Sequence, residues 1–320
     1  MRNITLRHLR TVSAILENGK IISAAKSLGL TGPAVTLQLQ QLEEEAGTKL
    51  FERTTQGMRP TAAGLAFVDA AQAIDERLRI LVEEVDAISG LKKGSLILGV
   101  VSTAKYFAPQ LMAGFMKEFP DIKMNLIVGN RAETIANLKN HKLDIALMGR
   151  PPRDIPVRSA AFGDHPLVIV TAPDHPLAGR REISKEEVAL EHFIIREPGS
   201  GTRVSFERFL GEIPGRLDEP GTEMHSNETI KQAVMAGLGV AFISAHTIAS
   251  EVAAGRLTVL DVIGLPIRRQ WFTVTRSDRV VTPAIAAFQG FLARRGAMFL
   301  PMLGKLYPAE QGFSAHTRRA

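Results

Sequence analysis

The sequence predicts an α/β protein in which a winged helix-turn-helix and a long helix precede an α/β region. Three observations support this fold class. Two short helical segments flank a glycine at position 29, apolar residues recur at heptad spacing through residues 67–88, and short apolar strands alternate with helices from residue 95 onward. Alternation of strands and helices implies a parallel sheet with right-handed crossovers.

The composition narrows the class of protein. A chain of 320 residues is long enough for two or three domains. It holds no cysteine, which excludes disulfides, thiolate catalysis and cysteine-ligated metals and fits a cytoplasmic protein. We see no signal peptide and no uncharged apolar run of ~18 residues, so we expect no membrane span. The net charge of +6 permits a polyanionic partner, but the basic surplus is spread along the chain and does not itself identify DNA binding.

The stretch from residue 23 to 41 follows an amphipathic first helix that carries Leu6, Leu9 and Val12 on one face. Gly29 is placed to end one short helix, and Thr31 can cap the next. This pattern predicts a helix-turn-helix whose second helix enters the DNA major groove. Taken alone, the stretch fits an αα-hairpin inside some other helical domain equally well.

Residues 50–60 predict a small β-hairpin, because polar residues surround one glycine between apolar flanks. Beside a helix-turn-helix such a hairpin is a wing. Arg53, Thr54 and Arg59 would then lie at the phosphate backbone. A single surface arginine is more often just solvated, so the adjacency of wing and motif is what favours DNA contact.

Thr61 can cap a long helix that continues to about residue 89. Its apolar residues alternate at spacings of four and three and form a seam, namely Phe67, Ala71, Ile74, Leu78, Leu81, Val85 and Ile88. Because an isolated helix would leave such a seam in water, we expect it to pair with its own copy in a dimer.

The α/β region begins after a linker at residues 90–94. We predict strands at residues 95–101, 123–128, 143–148, 167–170, 193–195, 241–244, 258–260 and 271–275, and helices at 107–118, 132–140, 202–210, 228–236 and 283–294. The residues after 296 are rich in proline and glycine, and we expect them to be weakly ordered.

The first 65 residues contain a set of residues at characteristic positions. They are Ala24-Ala25, Leu28, Thr31-Gly32-Pro33-Ala34-Val35-Thr36, Gln38-Leu39, Leu42-Glu43, Leu50-Phe51-Glu52-Arg53, Pro60-Thr61 and Gly64. On these residues the segment resembles the N-terminal domain of LysR-type transcriptional regulators, and the similarity extends over nearly the whole chain. The resemblance implies DNA contacts from Thr31, Pro33, Ala34, Thr36, Gln38 and the wing. Many members carry glutamine and arginine where this chain has Gly32 and Leu37, and those positions commonly face DNA.

The resemblance also implies a domain organisation. It places a winged helix-turn-helix at 1–61, a linker and dimerisation helix at 62–90, effector-binding subdomain I at 91–163 and 267–296, subdomain II at 164–266, and a tail at 297–320. The two α/β subdomains would be of the periplasmic-binding-protein type. The implied partners are double-stranded promoter DNA, an anionic small-molecule effector and further copies in a homodimer or homotetramer, with RNA polymerase as a further candidate.

Several shorter runs narrow the resemblance within the family. They are Gly129-Asn130-Arg131-Ala132-Glu133, Met148-Gly149-Arg150-Pro151-Pro152, Arg196-Glu197-Pro198-Gly199-Ser200-Gly201-Thr202-Arg203, Asn227-Glu228 and Arg268-Arg269-Gln270-Trp271. These runs resemble regulators of RuBisCO and Calvin-cycle operons, and so imply an effector that is a sugar phosphate or related metabolite. Asn227 belongs to the implied effector site.

The effector site also has a physical basis in the residues. The loop with Ser200, Gly201 and Thr202 stands between a strand and a helix, where backbone N–H groups and the helix N-terminus attract an anion, and Arg203 can form a bidentate fork. Further polar residues follow the first three strands of the region, where open α/β sheets bind ligands; they are Ser102, Thr103, Lys105, Asn130, Arg131, Gly149 and Arg150. Alternatively, Arg150 and Arg203 form structural ion pairs.

Other functions find less support. The histidines have no metal-ligand spacing, and no GxSxG elbow accompanies His225 and Ser244, so we expect neither a metal, nor a cofactor, nor an enzyme. The rival hypotheses are a regulator of another metabolic operon with a carboxylate effector, a solute-binding protein whose N-terminal helices only dimerise it, and an α/β enzyme that uses the cleft.

Overall fold

A computed structural model describes residues 3–88, 94–211, 213 and 221–301. The chain forms two compact units, Met1–Ser89 and Gly90–Ala320. Most of the predicted linker at residues 90–94 and the tail beyond residue 301 lie outside the described residues.

The first unit is a winged helix-turn-helix, as predicted. It comprises α1 (Leu6–Asn18), α2 (Ile21–Leu28), α3 (Gly32–Ala46), the antiparallel hairpin of β1 (Phe51–Thr54) and β2 (Gly57–Pro60), and α4 (Ala62–Ile88). Gly29 ends α2 in the left-handed conformation at φ 66°, and the Thr31 side chain accepts the Ala34 N–H at the start of α3. The local signals therefore set the helix ends where the sequence placed them.

The core of this unit joins all three short helices to the wing and to the start of α4. Val12, Val35 and Leu42 are fully buried in it. Glu43 is buried as well, and its carboxylate accepts the Leu50 N–H at 2.9 Å and the Lys49 ammonium at 2.7 Å. Burial acts to raise the pKa of Glu43, but these hydrogen bonds outweigh it and hold the pKa below its usual value. The carboxylate thus fixes the turn that leads from α3 into the wing.

The apolar seam of α4 is buried near the start of the helix and exposed farther along. Val68 and the predicted seam residue Ala71 are buried in the core of the unit itself. Farther along, Ile74, Leu81 and Val85 are 39%, 48% and 51% exposed. Only the later part of the predicted seam is therefore open to a partner, while the earlier part anchors the helix to its own chain.

The second unit is built on a seven-stranded sheet. Its elements are β3 (Gly94–Val101), α5 (Ala108–Glu118), β4 (Ile122–Gly129), α6 (Arg131–Lys139), β5 (Ile145–Met148), β6 (Val157–Thr171), α7 (Lys185–Val188), β7 (Ile194–Arg196), α8 (Gly201–Leu210), β8 (Thr222–Met224), α9 (Asn227–Met235), β9 (Ala241–Ser244), α10 (Ala249–Ala253), β10 (Thr258–Val259), β11 (Ile267–Arg276) and α11 (Pro283–Arg295). The strand order is β10-β6-β11-β5-β3-β4, with β9 also paired to β6. β3 runs parallel to both β4 and β5, as predicted.

Two long strands connect the halves of this unit. The whole of β11 pairs antiparallel with residues 157–167 of β6, with a register shift between Trp271 and Phe272. The sequence predicted only residues 167–170 and 271–275 of them. The first half of β6 is largely exposed, and its polar and apolar residues neither alternate nor form a continuous apolar run, so the sequence carries no strand signal there; pairing with β11 makes it a strand.

The remaining differences are short elements and the start of the tail. The sequence analysis missed β8, α7 and α10, which have three to five residues each. The expectation of weak order after residue 296 was wrong for residues 297–301. Gly296–Phe299 forms a 3-10 turn, and the Phe299 ring lies 5.6 Å from that of Phe291 in the core.

The two halves of the unit have separate cores. In the first half, the rings of Phe115 and Phe288 meet edge to face at 5.0 Å. In the second half, apolar side chains cover both faces of the strands around Phe242 and Ile243. No helix in the described ranges is both long and apolar enough to cross a membrane. Nor do the described residues group three or more metal-ligating side chains.

Candidate functional site

A cleft of about 570 Å³, including its opening to solvent, lies between the two halves of the second unit. Eight of the predicted effector residues line it, namely Ser102, Thr103, Arg131, Gly149, Arg150, Ser200, Gly201 and Thr202. The rest of the lining is Val101, Met148, His165, Leu167, Arg196, Val204, Ser205 and Arg269. The cleft opens where β3, β5 and β7 reach their carboxyl ends, which is where α/β sheets bind ligands.

One wall of the cleft is the start of α8. Ser200 is the N-cap residue, and in the described structure its hydroxyl makes no capping hydrogen bond to the helix. The N–H groups of the first turn, which begins at Gly201, have no acceptor within the helix. These donors and the positive end of the helix dipole suit an anion.

Arginines surround the cleft. Within the described part of the chain, neither Arg150 nor Arg269 has a carboxylate within 4 Å. Arg131 donates hydrogen bonds to the carbonyl oxygens of Arg150 and Pro151. Burial and the neighbouring Arg150 lower the pKa of both Arg131 and Arg269. Mutual repulsion of these guanidinium groups would be relieved by a bound anion.

Arg196 also lines the cleft, but its charge is already satisfied. The side chain is buried and forms a two-pronged pair with Glu197, with both N–O distances 2.7 Å. It donates further bonds to Asn227 Oδ1 at 2.6 Å and to the Ser102 hydroxyl at 3.1 Å, which lies in the other half of the unit. Sequence reasoning gave Arg196 no role, because two of its partners, Asn227 and Ser102, are distant from it in the chain.

Four predicted effector residues do not line the cleft. Arg203 bonds to Glu207 at 2.5 Å and to the Arg196 carbonyl at 2.9 Å, and Asn227 accepts from Arg196. Asn130 caps α6 by accepting the N–H of Glu133 at 3.0 Å, and Lys105 lies 3.7 Å from Glu228. The ion-pair alternative therefore describes Arg203 and does not describe Arg150.

His165 forms the floor of the cleft, and the sequence analysis did not select it. Its ring is fully buried and stacks on Trp271 with a centroid distance of 3.9 Å. Nε2 is 3.1 Å from the Ser244 hydroxyl, whereas Nδ1 has no partner among the described atoms. Burial, together with His246 and Arg269, holds the pKa of His165 well below its usual value, so the ring is neutral.

Gly149 packs against this ring. A Cβ atom at position 149 would stand 2.5 Å from His165 Nδ1, which only the absence of a side chain avoids. A second buried histidine lies behind the stack, where His246 Nδ1 accepts the Trp271 indole N–H at 3.0 Å. Burial lowers the pKa of His246 to about 4, so it too is neutral near pH 7.

Hydrogen bonds also join the two halves at the edge of the cleft. The Tyr106 hydroxyl donates to Glu228 at 2.5 Å, and the N–H of Ala132 donates to the Gly199 carbonyl at 3.2 Å. The buried Lys231 ammonium lies 4.7 Å from the centroid of the Tyr106 ring. These contacts hold the cleft at its present width.

The predicted DNA-contact residues lie on α3 and the wing of the first unit. Thr31, the N-cap residue of α3, and Pro33 are exposed, and Ala34, Thr36 and Gln38 lie on the first two turns. On the wing, Arg53, Thr54 and Arg59 are exposed. Among the described residues, no carboxylate lies within 4 Å of either wing arginine.

Comparisons with known proteins extend over nearly the whole chain. Residues 6–65 match the family described as bacterial regulatory helix-turn-helix protein, lysR family, and residues 89–297 match the LysR substrate binding domain. The HTH-type transcriptional regulator CbbR of Rhizobium meliloti (strain 1021) is 61% identical over 97% of this chain and 99% of its own length. The RuBisCO operon transcriptional regulator of Allochromatium vinosum is 42% identical over 94% and 100%.

A solved structure is also similar to the second unit. It is the regulatory domain of CcmR from Synechocystis PCC6803 in complex with 2-PG, with 33% identity and a TM-score of 0.58 over 63% of this chain and 97% of the other. The curated relatives are named as transcriptional regulators and not as enzymes. With both family domains matched in their expected order, the chain belongs to the LysR family of transcriptional regulators.

Proposed function

We propose that this regulator controls carbon-fixation (RuBisCO) genes and that an anionic phosphorylated metabolite in the cleft modulates its DNA binding. The names of its curated relatives support the target genes. The observation that carries the effector class is the pair Arg150 and Arg269, which line a partly buried cleft without a carboxylate partner in the described chain.

The lining matches a phosphorylated ligand. A phosphate has three oxygens that accept hydrogen bonds, and the cleft offers N–H groups at the start of α8, the hydroxyls of Ser200 and Thr202, and guanidinium groups. The similar CcmR regulatory domain holds 2-PG. A neutral sugar would leave the charges of Arg150 and Arg269 uncompensated, so we expect it to bind far more weakly.

We assign a supporting role to predicted effector residues that do not line the cleft. Arg203 and Asn227 hold Arg196, which in turn holds Ser102 of the opposite half. Asn130 sets the start of α6, the helix that carries Arg131. We therefore assign direct ligand contact to the eight predicted residues of the lining together with His165 and Arg269.

On the DNA side, α3 would lie in the major groove and the wing beside the phosphate backbone. Direct contacts would come from α3 at Thr31, Pro33, Ala34, Thr36 and Gln38, and from the wing at Arg53, Thr54 and Arg59. A second copy would cover the exposed part of the α4 seam at Leu81 and Val85, which gives a dimer with two recognition helices. A homotetramer would be a pair of such dimers.

Coupling between effector and DNA would run through closure of the cleft. The two halves of the second unit are joined by β6 and β11, whose register shift at Trp271 lies beside the stacked His165. A ligand that bridges both halves binds one width of the cleft better than others and so shifts the equilibrium between them. The dimer would then present its recognition helices differently.

The test is a titration of the full chain against a labelled promoter fragment from a RuBisCO operon. Ribose 5-phosphate and 2-PG serve as phosphorylated probes, and ribose is the neutral control for the sugar. We expect the phosphorylated probes to change DNA affinity or DNA bending and ribose to change neither. A response to citrate alone would favour a regulator with a carboxylate effector, and absence of any sequence-specific DNA binding would favour a solute-binding protein.

A further inference from the structure

The outward face of α3 differs from the set of base-reading residues that the sequence suggested. Gln38 turns toward α1, where its side-chain carbonyl accepts a 2.5 Å hydrogen bond from the buried Thr11 hydroxyl. The Thr36 hydroxyl donates back to the Gly32 carbonyl at 3.0 Å. Both polar side chains therefore have partners inside the protein, and reading a base with these atoms would require those bonds to be exchanged.

The face opposite the core carries other side chains. Val35, Leu39 and Leu42 pack inward, and the exposed positions of α3 are Pro33, Leu37, Gln40, Gln41 and Glu44. Leu37 is 55% exposed and stands one helical turn after Pro33. Gly32 contributes no side chain, and no other atom lies within 4 Å of the position that a Cβ atom would take at this residue. The first two turns thus present an open apolar surface to the outside.

An exposed leucine is common on protein surfaces and needs no explanation in general. Its position matters here because the N-terminal turns of a recognition helix face the base edges in the major groove. The apolar group displayed in that groove is the C5 methyl of thymine, which side chains without polar atoms can contact. Leucine offers no hydrogen bond to a guanine or cytosine at the same position.

We infer that Leu37, beside Pro33, is a specificity-determining residue that reads a thymine methyl group in each half of the DNA site. The inference rests on the proposed function, because it requires α3 to lie in the major groove. Pro33 supports the contact, because it lies on the same exposed face one helical turn before Leu37.

The experiment removes the methyl group and the side chain separately. Full-length protein selects its sites from a pool of randomised DNA duplexes, and each thymine of the best site is then replaced singly by deoxyuridine. In the wild type, we expect one thymine position in each half-site at which a single replacement weakens binding about fourfold, which is the effect of one buried methyl-sized group. Leu37→Ala should weaken binding to the thymine duplex and lose its sensitivity to that same replacement.

Two further variants separate contact from structure. Leu37→Met keeps an apolar side chain and should retain sensitivity to the replacement. Leu190→Ala removes an even more exposed leucine from the second unit and should behave as the wild type. Because Leu37 is exposed, each variant should unfold at the wild-type temperature.

Two outcomes would overturn the inference while leaving the proposed function in place. The first is that, at every thymine, replacement by deoxyuridine weakens binding by the same factor in the wild type and in Leu37→Ala. The second is that no replacement weakens binding by the wild type. If the wild type enriches no sequence from the pool, the proposed function fails and this inference fails with it.

Discussion

Arg269 in the cleft and Arg53 on the wing both lack a carboxylate partner in the described chain, yet their surroundings differ. Arg269 lies in a concave site, and burial and neighbouring arginines lower its pKa. Arg53 projects from a two-stranded hairpin into solvent. Partial burial reduces the screening of the Arg269 charge by solvent, whereas the Arg53 charge is screened by water and salt.

The difference shows how one kind of side chain serves two kinds of anion. In the cleft, a few fixed donors surround a small ligand, so each donor contributes strongly and position decides selectivity. On the wing, an open charge meets a long polyanion and contributes by releasing counterions, whatever the sequence. The two regions should therefore respond differently to mutation, salt and pH.

The largest effect should come from the cleft. Arg269→Met should weaken binding of 2-PG about 100-fold, since it removes a charge-assisted hydrogen bond from a partly buried site. Isothermal titration calorimetry on the full chain measures this affinity. Arg268→Met is the matched control, because Arg268 is the exposed neighbour on β11 and does not line the cleft. Equal losses in the two variants would refute a specific role for Arg269.

As the pH falls, the two units should lose stability in different pH ranges. The folded-state pKa of His246 is lowered from 6.5 to about 4, so the unfolded chain binds the proton first as pH falls. Stability of the second unit should therefore fall below about pH 6.5, by about 1.4 kcal/mol per pH unit for this group. Glu43 in the first unit has a lowered carboxyl pKa, so its contribution is present above pH 4.5 and is lost only below that value.

Urea unfolding at several pH values tests this difference. Trp271 is the only tryptophan of the chain, so its fluorescence reports on the second unit. His246→Gln should reduce the loss of stability between pH 6.5 and 4, because glutamine does not titrate, and the loss caused by His165 should remain. An unchanged slope in that variant would contradict the assignment to His246.

On the wing, the effect should be smaller and general. Arg53→Ala should weaken binding to specific and non-specific duplexes alike, about fivefold in low salt, and should reduce the salt dependence of log K by about 0.9. Fluorescence anisotropy across a salt series measures both quantities. Arg181→Ala removes an exposed arginine from the other unit and should change neither. A loss confined to one DNA sequence would mean that Arg53 reads bases.

The smallest effect concerns the edge of the cleft. Tyr106→Phe removes the hydroxyl that donates to Glu228 but keeps the ring beside Lys231. We expect binding of 2-PG to weaken about threefold, the effect of one exposed hydrogen bond that favours the closed cleft. Tighter effector binding in the variant would show that this bond opposes the ligand-bound width.

The sequence by itself determined the elements whose signals are local. Gly19, Gly29 and Gly47 end the first three helices, and Thr31 begins the third, because a cap needs only its immediate neighbours. The same holds for strands β3 and β5, whose apolar runs are continuous, and for β4, where Lys123 and Asn125 alternate with apolar residues. The loop before α8 was recognisable as an anion site for the same reason, since a strand, two glycines and a helix start stand side by side.

Tertiary structure decided which polar side chains are available. Arg150 and Arg203 are both arginines near glycine in the sequence, but the fold places Glu223 and the Arg196 carbonyl beside Arg203 and no described carboxylate beside Arg150. Likewise, Gln38 faces Thr11 only because α1 packs against α3. A hydrogen bond between residues far apart in the chain depends on the packing of whole elements. Periodicity and motif spacing carry no information about it.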